Sequence, residues 1–339
     1  MKKAWIILLC LVLAVSLIVA GCGGGDKKAP EQKQIKMKMS VTTAESSPWT
    51  KGAQKFADIV KEKTKGRVTV QVFPNEQLSS GNQAKGIEQL QNGVTDLSFH
   101  STIIYSVLDP KFSVISMPWI VPSNEVADKA MKGAGGDKIK EILRSKGIEP
   151  LGFGENGFRQ VTNNKKAIVT PADMEGLKIR IPGMKMYIDL FKALGADPTA
   201  MNFAEVFTAL QQGTIDGQEN PIPVIYTSKL GEVQKYMTIW NYSYDPLVLG
   251  INKKLFDSLD KETQQILRDA AKEACAYQIK LNREEEAKQL AELKTKGLQV
   301  TVLTADQVKA FQAKMGPVYA KYEPTIGKDL LDAFRNAGK

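Results

Sequence analysis

The sequence predicts an α/β protein built as two lobes around a cleft. Three observations carry that expectation. From Ile35 onward, short alternating segments and amphipathic segments succeed one another, which is the pattern of parallel βαβ crossovers. A similar pattern starts again near residue 148. Between Asp260 and Lys296 runs one polar–apolar helical stretch with no glycine or proline, long enough to cross between two units.

The elements follow in order. "IKMKMSVTT" alternates and predicts a strand, and Ser46–Ser47–Pro48 predicts a capped helix start. "WTKGAQKFADIVKEKTKG" has apolar residues at helical spacing and closes on Gly66. "RVTVQVFP" predicts a second strand, "NEQLSSGNQ" a loop, "AKGIEQLQNG" a helix and "VTDLSFH" a third strand. Later, "IEPLGFGENGFRQVTN" predicts strands with a loop, and "TPADMEG" a short helix capped by Thr170 with Pro171 at its first position. "LKIRIPG" alternates, with Leu177, Ile179 and Ile181 on one face and Lys178 and Arg180 on the other, and Pro182–Gly183 stop it. "KMYIDLFKALGA" and "FAEVFTALQQGTID" predict helices, with "DPTAMN" as a short strand or loop between them. The long helix, the strand "LQVTVLT" and further helices complete the chain.

The first residues stand apart. Met1–Lys3 is basic, Ala4–Ala20 is apolar and small residues follow, the layout of a secretory leader. "VAGC" at Val19–Cys22 resembles a bacterial lipobox, in which Cys22 becomes the lipid-bearing first residue; an uncleaved membrane anchor is the other reading. Residues 1–21 are expected to be a lipoprotein-type signal and 22–34 a flexible tether. Of three cysteines only Cys275 is then left in the folded part, as a small buried apolar residue with no disulfide partner. At 339 residues, 43% hydrophobic and 24% charged, the chain has ample material for two ordinary domains. The net charge of +9 is spread among acids, with no aromatic-interleaved basic stripe, so a nucleic-acid partner is not expected.

Catalytic signatures are missing. "GFGENG" (Gly152–Gly157) matches GxGxxG, but the strand-like "FRQVTNN" follows it, so no helix N-terminus is there to hold a pyrophosphate. His100 is the single histidine, no GxSxG or HExxH occurs, and no metal or cofactor is expected. His100 ends a strand, where it faces either a ligand or a hydrogen-bonded sheet edge. Asp216, Glu219 and Asn220 lie in "TIDGQENPIP", read as a tight turn presenting Gln218 and Asn220. Arg159 and Arg180, near the ends of strands, offer planar forks of donors suited to a carboxylate, although each taken singly is an ordinary ion-pair residue.

"NGFRQVTNNKKAIVTPADMEGLKIRIP", "MNFAEVFTALQQGTIDGQENP", "EVQKYM" and "FPNEQLSSGNQAKGIEQLQNGVTDLSF" together resemble the DctP-type solute-binding proteins of tripartite ATP-independent periplasmic (TRAP) transporters, from about Met39 to near the C-terminus. The resemblance implies a two-lobed, periplasmic-binding-protein-like fold with a ligand cleft between lobes and a long helix spanning both. It implies discontinuous lobes, residues 35–157 with about 246–285 and residues 158–245 with about 286–339. It also implies a bidentate salt bridge from Arg180 to a solute carboxylate, with Arg159 and Asn220 beside that group and Phe203 packing on the solute. First-lobe contacts fall near Thr42 or Thr43, Asn82 or Gln83, and His100 or Ser101. Asn82, His100 and, from the looser "NYSYDP" motif, Tyr242 complete the expected site; Asn82 and His100 stand where sialic-acid binders of the family carry acidic residues, which argues against a sialic-acid ligand.

The implied function is an extracytoplasmic receptor that binds a small organic acid and delivers it to the small and large TRAP membrane subunits, held at the outer face of the membrane by lipid on Cys22. A sensing module reporting to a membrane sensor would look alike in sequence. An enzyme using His100 and Glu219 is the third reading, and turnover of the ligand would separate it from a receptor.

Overall fold

The computed structural model describes residues 34–338. The expected leader, Cys22 and all of the tether but Gln34 lie outside the described residues. Among those described, no helix is long and apolar enough to cross a membrane.

The chain runs β1 (Ile35–Val41), α1 (Pro48–Lys63), β2 (Val68–Phe73), α2 (Gln83–Asn92), β3 (Leu97–Ser101), α3 (Asn124–Lys132), α4 (Ala134–Ser145) and β4 (Ile148–Phe158). It continues through β5 (Gln160–Asn163), β6 (Lys178–Ile181), α5 (Lys185–Ala193), β7 (Asp197–Ala200), α6 (Phe203–Gln212), β8 (Gly217–Asn220), α7 (Ile222–Thr227) and β9 (Tyr236–Ile239). It ends with β10 (Tyr244–Asn252), α8 (Lys253–Ser258), α9 (Lys261–Thr295), β11 (Gln299–Val302), α10 (Ala305–Gln312), α11 (Gly316–Ile326) and α12 (Lys328–Arg335). Two sheets result, in the orders β2-β1-β3-β10-β4 and β11-β9-β5-β8-β6-β7. β1 is parallel to β2 and β3, and β10 is antiparallel to β3 and β4. In the second sheet β6 is parallel to β7 and β8, whereas β5 is antiparallel to β8 and β9.

Local chemistry sets the boundaries. The Ser47 hydroxyl accepts from the Thr50 amide at 3.2 Å, with Pro48 opening α1. Asn82 caps α2 by accepting from the Lys85 amide at 2.9 Å, and Gly93 closes it in the left-handed region at φ +74°. Thr170 and Asp173 form a capping box around a single 3-10 turn, Pro171–Met174. One expectation fails here. Gly217–Asn220 is not a turn but a fully buried strand between β5 and β6. It escapes the usual pattern because its polar side chains are matched by buried polar partners instead of by an apolar core.

The chain passes between the sheets at two adjacent points. Arg159 alone separates β4 from β5, and residues 240–243 separate β9 from β10. The two crossings are tied together: the Arg159 amide donates to the Ser243 carbonyl at 2.9 Å, and the Gln160 side chain accepts from the amides of Trp240 and Asn241. The third link is α9, roughly 50 Å long at 1.5 Å per residue. Its first half packs on α1 and β4, and its later part packs on α7. Cys275 belongs to the core under the first sheet, with Phe56, Phe99 and Leu249, while Leu293 packs with Val206 and Leu210 under the second.

The GxGxxG stretch has its explanation in this packing. It lies inside β4, and a Cβ on Gly152 would stand 2.9 Å from Cys275 Sγ, one on Gly154 2.5 Å from the Phe99 ring. The glycines let α9 and Phe99 approach the strand. The Gln278 side chain then clamps β4, accepting from the Glu155 amide and donating to its carbonyl, both at 2.8 Å. The last helices join both halves of the molecule. α11 packs on α5 and on the turn at Pro110–Val114, and α12 packs on α4. The amphipathic face of α12, with Leu330, Leu331 and Phe334, finds its apolar partners there, so the segment beyond Gly316 is not confined to the second sheet.

Candidate functional site

A small cavity opens where the two sheets face each other. One side is built from the C-terminal ends of β1 and β3, where clefts form in parallel sheets. Thr42 and Thr43 follow β1, Ser101 ends β3, and Ile103 and Ile104 come just after it. Trp49 from α1, Gln83 at the start of α2 and Asn156 from β4 complete that wall. The other side carries Arg180 and Pro182 at the end of β6, Phe203 opening α6, Asn220 ending β8, and Val224 on α7. Arg159, on the crossing between sheets, lines it as well. The two walls already touch at the rim. The Phe203 amide donates to Gln83 Oε1 at 3.4 Å, and a Cβ on Gly81 would lie 3.1 Å from Ala204 Cβ. The cleft is in its closed form.

Arg180 and Arg159 are both buried, yet their surroundings differ. Arg180 lies in β6 opposite Gln218 of β8 and Thr199 of β7. Its Nε and Nη2 donate to the Met201 carbonyl at 3.0 and 2.6 Å, and its guanidinium sits 5.7 Å from the Phe203 ring centre. Among the described residues no carboxylate pairs with it, and its Nη1 has no hydrogen-bond partner in the protein. Burial pulls its pKa down to about 9, with the nearby Arg159 charge adding to that and Glu219 opposing it. Arg180 is therefore a charged fork at neutral pH, held in low dielectric without a counter-ion.

Arg159, by contrast, is saturated. Its Nε and Nη2 grip the Glu219 carboxylate in a bidentate pair, and Nη1 donates to Asp245 Oδ2 at 2.8 Å. Nη2 also reaches the Glu219 carbonyl and Asn220 Oδ1, at 2.9 and 3.1 Å. Burial works against its charge, but Glu219 and then Asp245 outweigh burial and hold its pKa above that of a free arginine. Burial raises the pKa of Asp245, against the pull of Arg159. Asn220 is oriented from behind as well: its Nδ2 donates to Gln218 Oε1 at 2.6 Å, and Gln218 donates to Thr162.

The expected site residues separate into two groups. Arg180, Arg159, Asn220 and Phe203 meet at the cavity. Asn82, His100 and Tyr242 do not line it. The Asn82 side chain is engaged as the α2 cap, and the next residue, Gln83, reaches the cavity instead. His100 precedes Ser101 in β3, so its side chain points to the opposite face, where its Nε2 lies 2.9 Å from Glu76 Oε1. Tyr242 is wholly buried among Trp119, Tyr187, Phe191 and Trp240, and its hydroxyl donates to Glu219 Oε2 at 2.6 Å. It supports the acid that holds Arg159. Trp49, Ile103, Ile104, Pro182 and Val224 went unanticipated, since nothing in the local pattern sets a cavity-lining apolar residue apart from a core one, and so did Asn156, whose partners Trp49 and Asp245 are distant in sequence. Among the described residues no cluster of three His, Cys, Asp or Glu side chains could hold a metal ion.

Comparison with known proteins agrees with this architecture. The profile of DctP, bacterial extracellular solute-binding protein family 7, matches residues 39–325. The chain is 39% identical over 285 residues to the 2,3-diketo-L-gulonate-binding periplasmic protein YiaO of Escherichia coli K12, covering 83% of this chain and 85% of that one. It is 32% identical over 307 residues to the C4-dicarboxylate-binding protein DctB of Bacillus subtilis 168, covering 90% and 87%. Among solved structures, a TRAP periplasmic solute-binding protein from Ralstonia eutropha H16 with bound (S)-2-acetolactate superposes with a TM-score of 0.87 at 36% identity, covering 89% of this chain and 98% of that one. The two-lobed fold and the matched span leave no place for the enzyme reading, because the family is one of solute-binding proteins and not of catalysts. The chain belongs to bacterial extracellular solute-binding protein family 7, the DctP-type receptors of TRAP transporters.

Proposed function

We propose that this receptor captures a small organic acid by a bidentate salt bridge from Arg180 to the solute carboxylate and hands it to the TRAP membrane subunits. The observation that carries the reading is Arg180 itself: a fully buried cation with no counter-ion, presenting a free Nη1 to the cavity. A carboxylate there supplies the missing charge in low dielectric, where the attraction is strongest. Arg159 acts through Asn220 and Glu219, holding the amide beside the anchor. The known ligands of the relatives, 2,3-diketo-L-gulonate, C4-dicarboxylates and acetolactate, are all small carboxylic acids, which supports the same chemistry here.

Residues 35–157 with about 246–285, and 158–245 with about 286–339, act as the bodies that open and close. Their motion is concentrated at the crossings near Arg159 and residues 240–243, and the contacts Gln83–Phe203 and Gly81–Ala204 mark the closed end of it. Lipid on Cys22, on the outer face of the membrane, keeps the receptor beside its permease, with more than one acyl chain needed for a stable hold. The experiment is thermal unfolding and calorimetry of the solute-stripped protein with small acids. A bound acid at about 100 times its Kd adds roughly 2.7 kcal/mol of apparent stability. Binding that survives Arg180→Met unchanged would refute the anchor.

A further inference from the structure

Three hydroxyls reach the cavity from the first-lobe wall: Thr43 shares a hydrogen bond with the Ser47 hydroxyl, while Thr42 and Ser101 donate to buried carboxylates. The Thr42 hydroxyl donates to Glu76 Oε1 at 2.7 Å, and the Ser101 hydroxyl donates to Asp245 Oδ1 at 2.6 Å. A hydroxyl has one donor and two acceptor positions, so Thr42 and Ser101 turn only lone pairs toward the solute, and one of the Ser101 positions is already taken by the Ile103 amide at 3.1 Å. The buried carboxylates behind them enforce this direction. Glu76 also accepts from Ser40 and Ser79 and lies beside His100, and Asp245 also accepts from Asn156 and Arg159. The far wall is therefore polarised to receive donors.

Charge gives the same answer. The cavity wall holds two cations, Arg180 and Arg159, and no lysine or histidine. Arg159 is already shared between Glu219 and Asp245. One anion can be matched, on Arg180. A second carboxylate reaching Ser101 would meet its lone pairs and, directly behind them, Asp245. The remaining donors there are side-chain amide N–H groups, on Gln83 and the second N–H of Asn156, which are neutral and serve a ligand hydroxyl or carbonyl oxygen but do not balance a buried charge.

We infer that the solute is a monocarboxylate bearing hydroxyl groups, with its carboxylate on Arg180 and at least one hydroxyl donating to Ser101 or Thr42, and that dicarboxylates are excluded. This rests on Arg180 being the carboxylate anchor. The test uses the solute-stripped protein and three sets of probes in calorimetry: linear hydroxy monoacids of three to six carbons, including 2,3,4-trihydroxybutanoate; succinate and tartrate as dicarboxylates of four carbons; and butanoate, with one carboxylate and no hydroxyl. The expected result is binding of a hydroxy monoacid, with dicarboxylates weaker by about a hundredfold or more. Butanoate is expected to be weaker by about tenfold or more. Ser101→Ala should lower affinity for the hydroxy monoacid about three- to tenfold relative to butanoate, a ratio that general loss of folding would not change. Dicarboxylate binding that equals the monoacid's and is lost in Arg180→Met overturns this inference and leaves the anchor intact. Butanoate binding as tightly as the hydroxy acid overturns the donor assignment. Failure of every hydroxy monoacid, or binding indifferent to Arg180, removes both the inference and the anchor.

Discussion

Replacing Arg180 with methionine should stabilise the solute-free protein while abolishing its response to solute. The magnitude follows from the surroundings of the guanidinium. It is fully buried and unpaired, and its pKa falls from the ordinary arginine range to about 9. At 1.36 kcal/mol per decade, keeping it charged costs roughly 5 kcal/mol. Against this stand the hydrogen bonds to the Met201 carbonyl, whose loss leaves a buried acceptor at about 1–3 kcal/mol, and the contact with Phe203, about 0.5–2 kcal/mol. In the closed geometry the balance favours the methionine variant by about 2 kcal/mol, an upper figure for solute-free protein because opening the cleft returns water to the guanidinium. The sign with pH is fixed. Folded Arg180 releases its proton more readily than the unfolded chain does, so the penalty is full at neutral pH and is relieved as pH rises through about 9. Urea unfolding of solute-stripped protein at neutral pH measures this. The variant's midpoint should rise with an unchanged slope, and the gap to wild type should narrow above pH 9. With solute present the order should reverse, because wild type gains ligand stabilisation and the variant does not. A solute-free variant that loses 2 kcal/mol or more would show that Arg180 is a paired structural cation, and the anion-site reasoning would be wrong.

Three further outcomes are expected. Glu219→Gln breaks the bidentate pair with Arg159 and weakens the Tyr242 contact, leaving a buried charge short of a partner; urea unfolding should show a loss of about 3–5 kcal/mol, and a loss below 1 would contradict the pairing. Ala204→Trp adds bulk on an exposed residue at the rim facing Gly81, so small-angle scattering should show a cleft that no longer closes with solute, and affinity should fall at least about tenfold while solute-free stability holds. Glu76 has its pKa lowered: burial opposes its charge, but His100, Thr42 and Ser79 together outweigh burial. It thus contributes stability that is present above its ordinary pKa of 4.5 and is lost as pH falls through the lower folded value. Glu76→Gln should flatten the acid limb of stability against pH, and an unchanged limb would rule this group out.

Much of the fold was legible because it is written locally. Alternation at Ile35–Val41 and at Lys178–Ile181, caps at Ser47 and Thr170, and an unbroken helical pattern across Lys261–Thr295 each depend on a few neighbouring residues. Gly217–Asn220 was misread because a strand whose partners are polar has no hydrophobic period to display. In the site, family resemblance placed Arg180, Arg159, Asn220 and Phe203 at the cavity, but in the first lobe it left Asn82 or Gln83 and His100 or Ser101 open, and the site was completed with the first of each pair. Gln83 and Ser101 face the cavity where Asn82 and His100 were expected. In a strand one residue is the difference between opposite faces, and at a helix start it is the difference between a cap and a side chain that points outward.

By itself the sequence determined the class of the molecule: an α/β order with many of its strands and helices, the long helix shared by two lobes, the family, and the presence of two arginines able to take an anion. Tertiary structure decided which arginine is free. Arg159 meets Glu219 and Asp245 across 60 and 86 residues of chain, and those contacts consume its charge, while no such partner reaches Arg180. It also decided the polarity of the far wall, because Thr42 and Ser101 surrender their protons to Glu76 and Asp245 over 34 and 144 residues. Neither fact has a local signature, since the direction of a hydrogen bond and the balance of a buried charge are set by partners that only folding brings together.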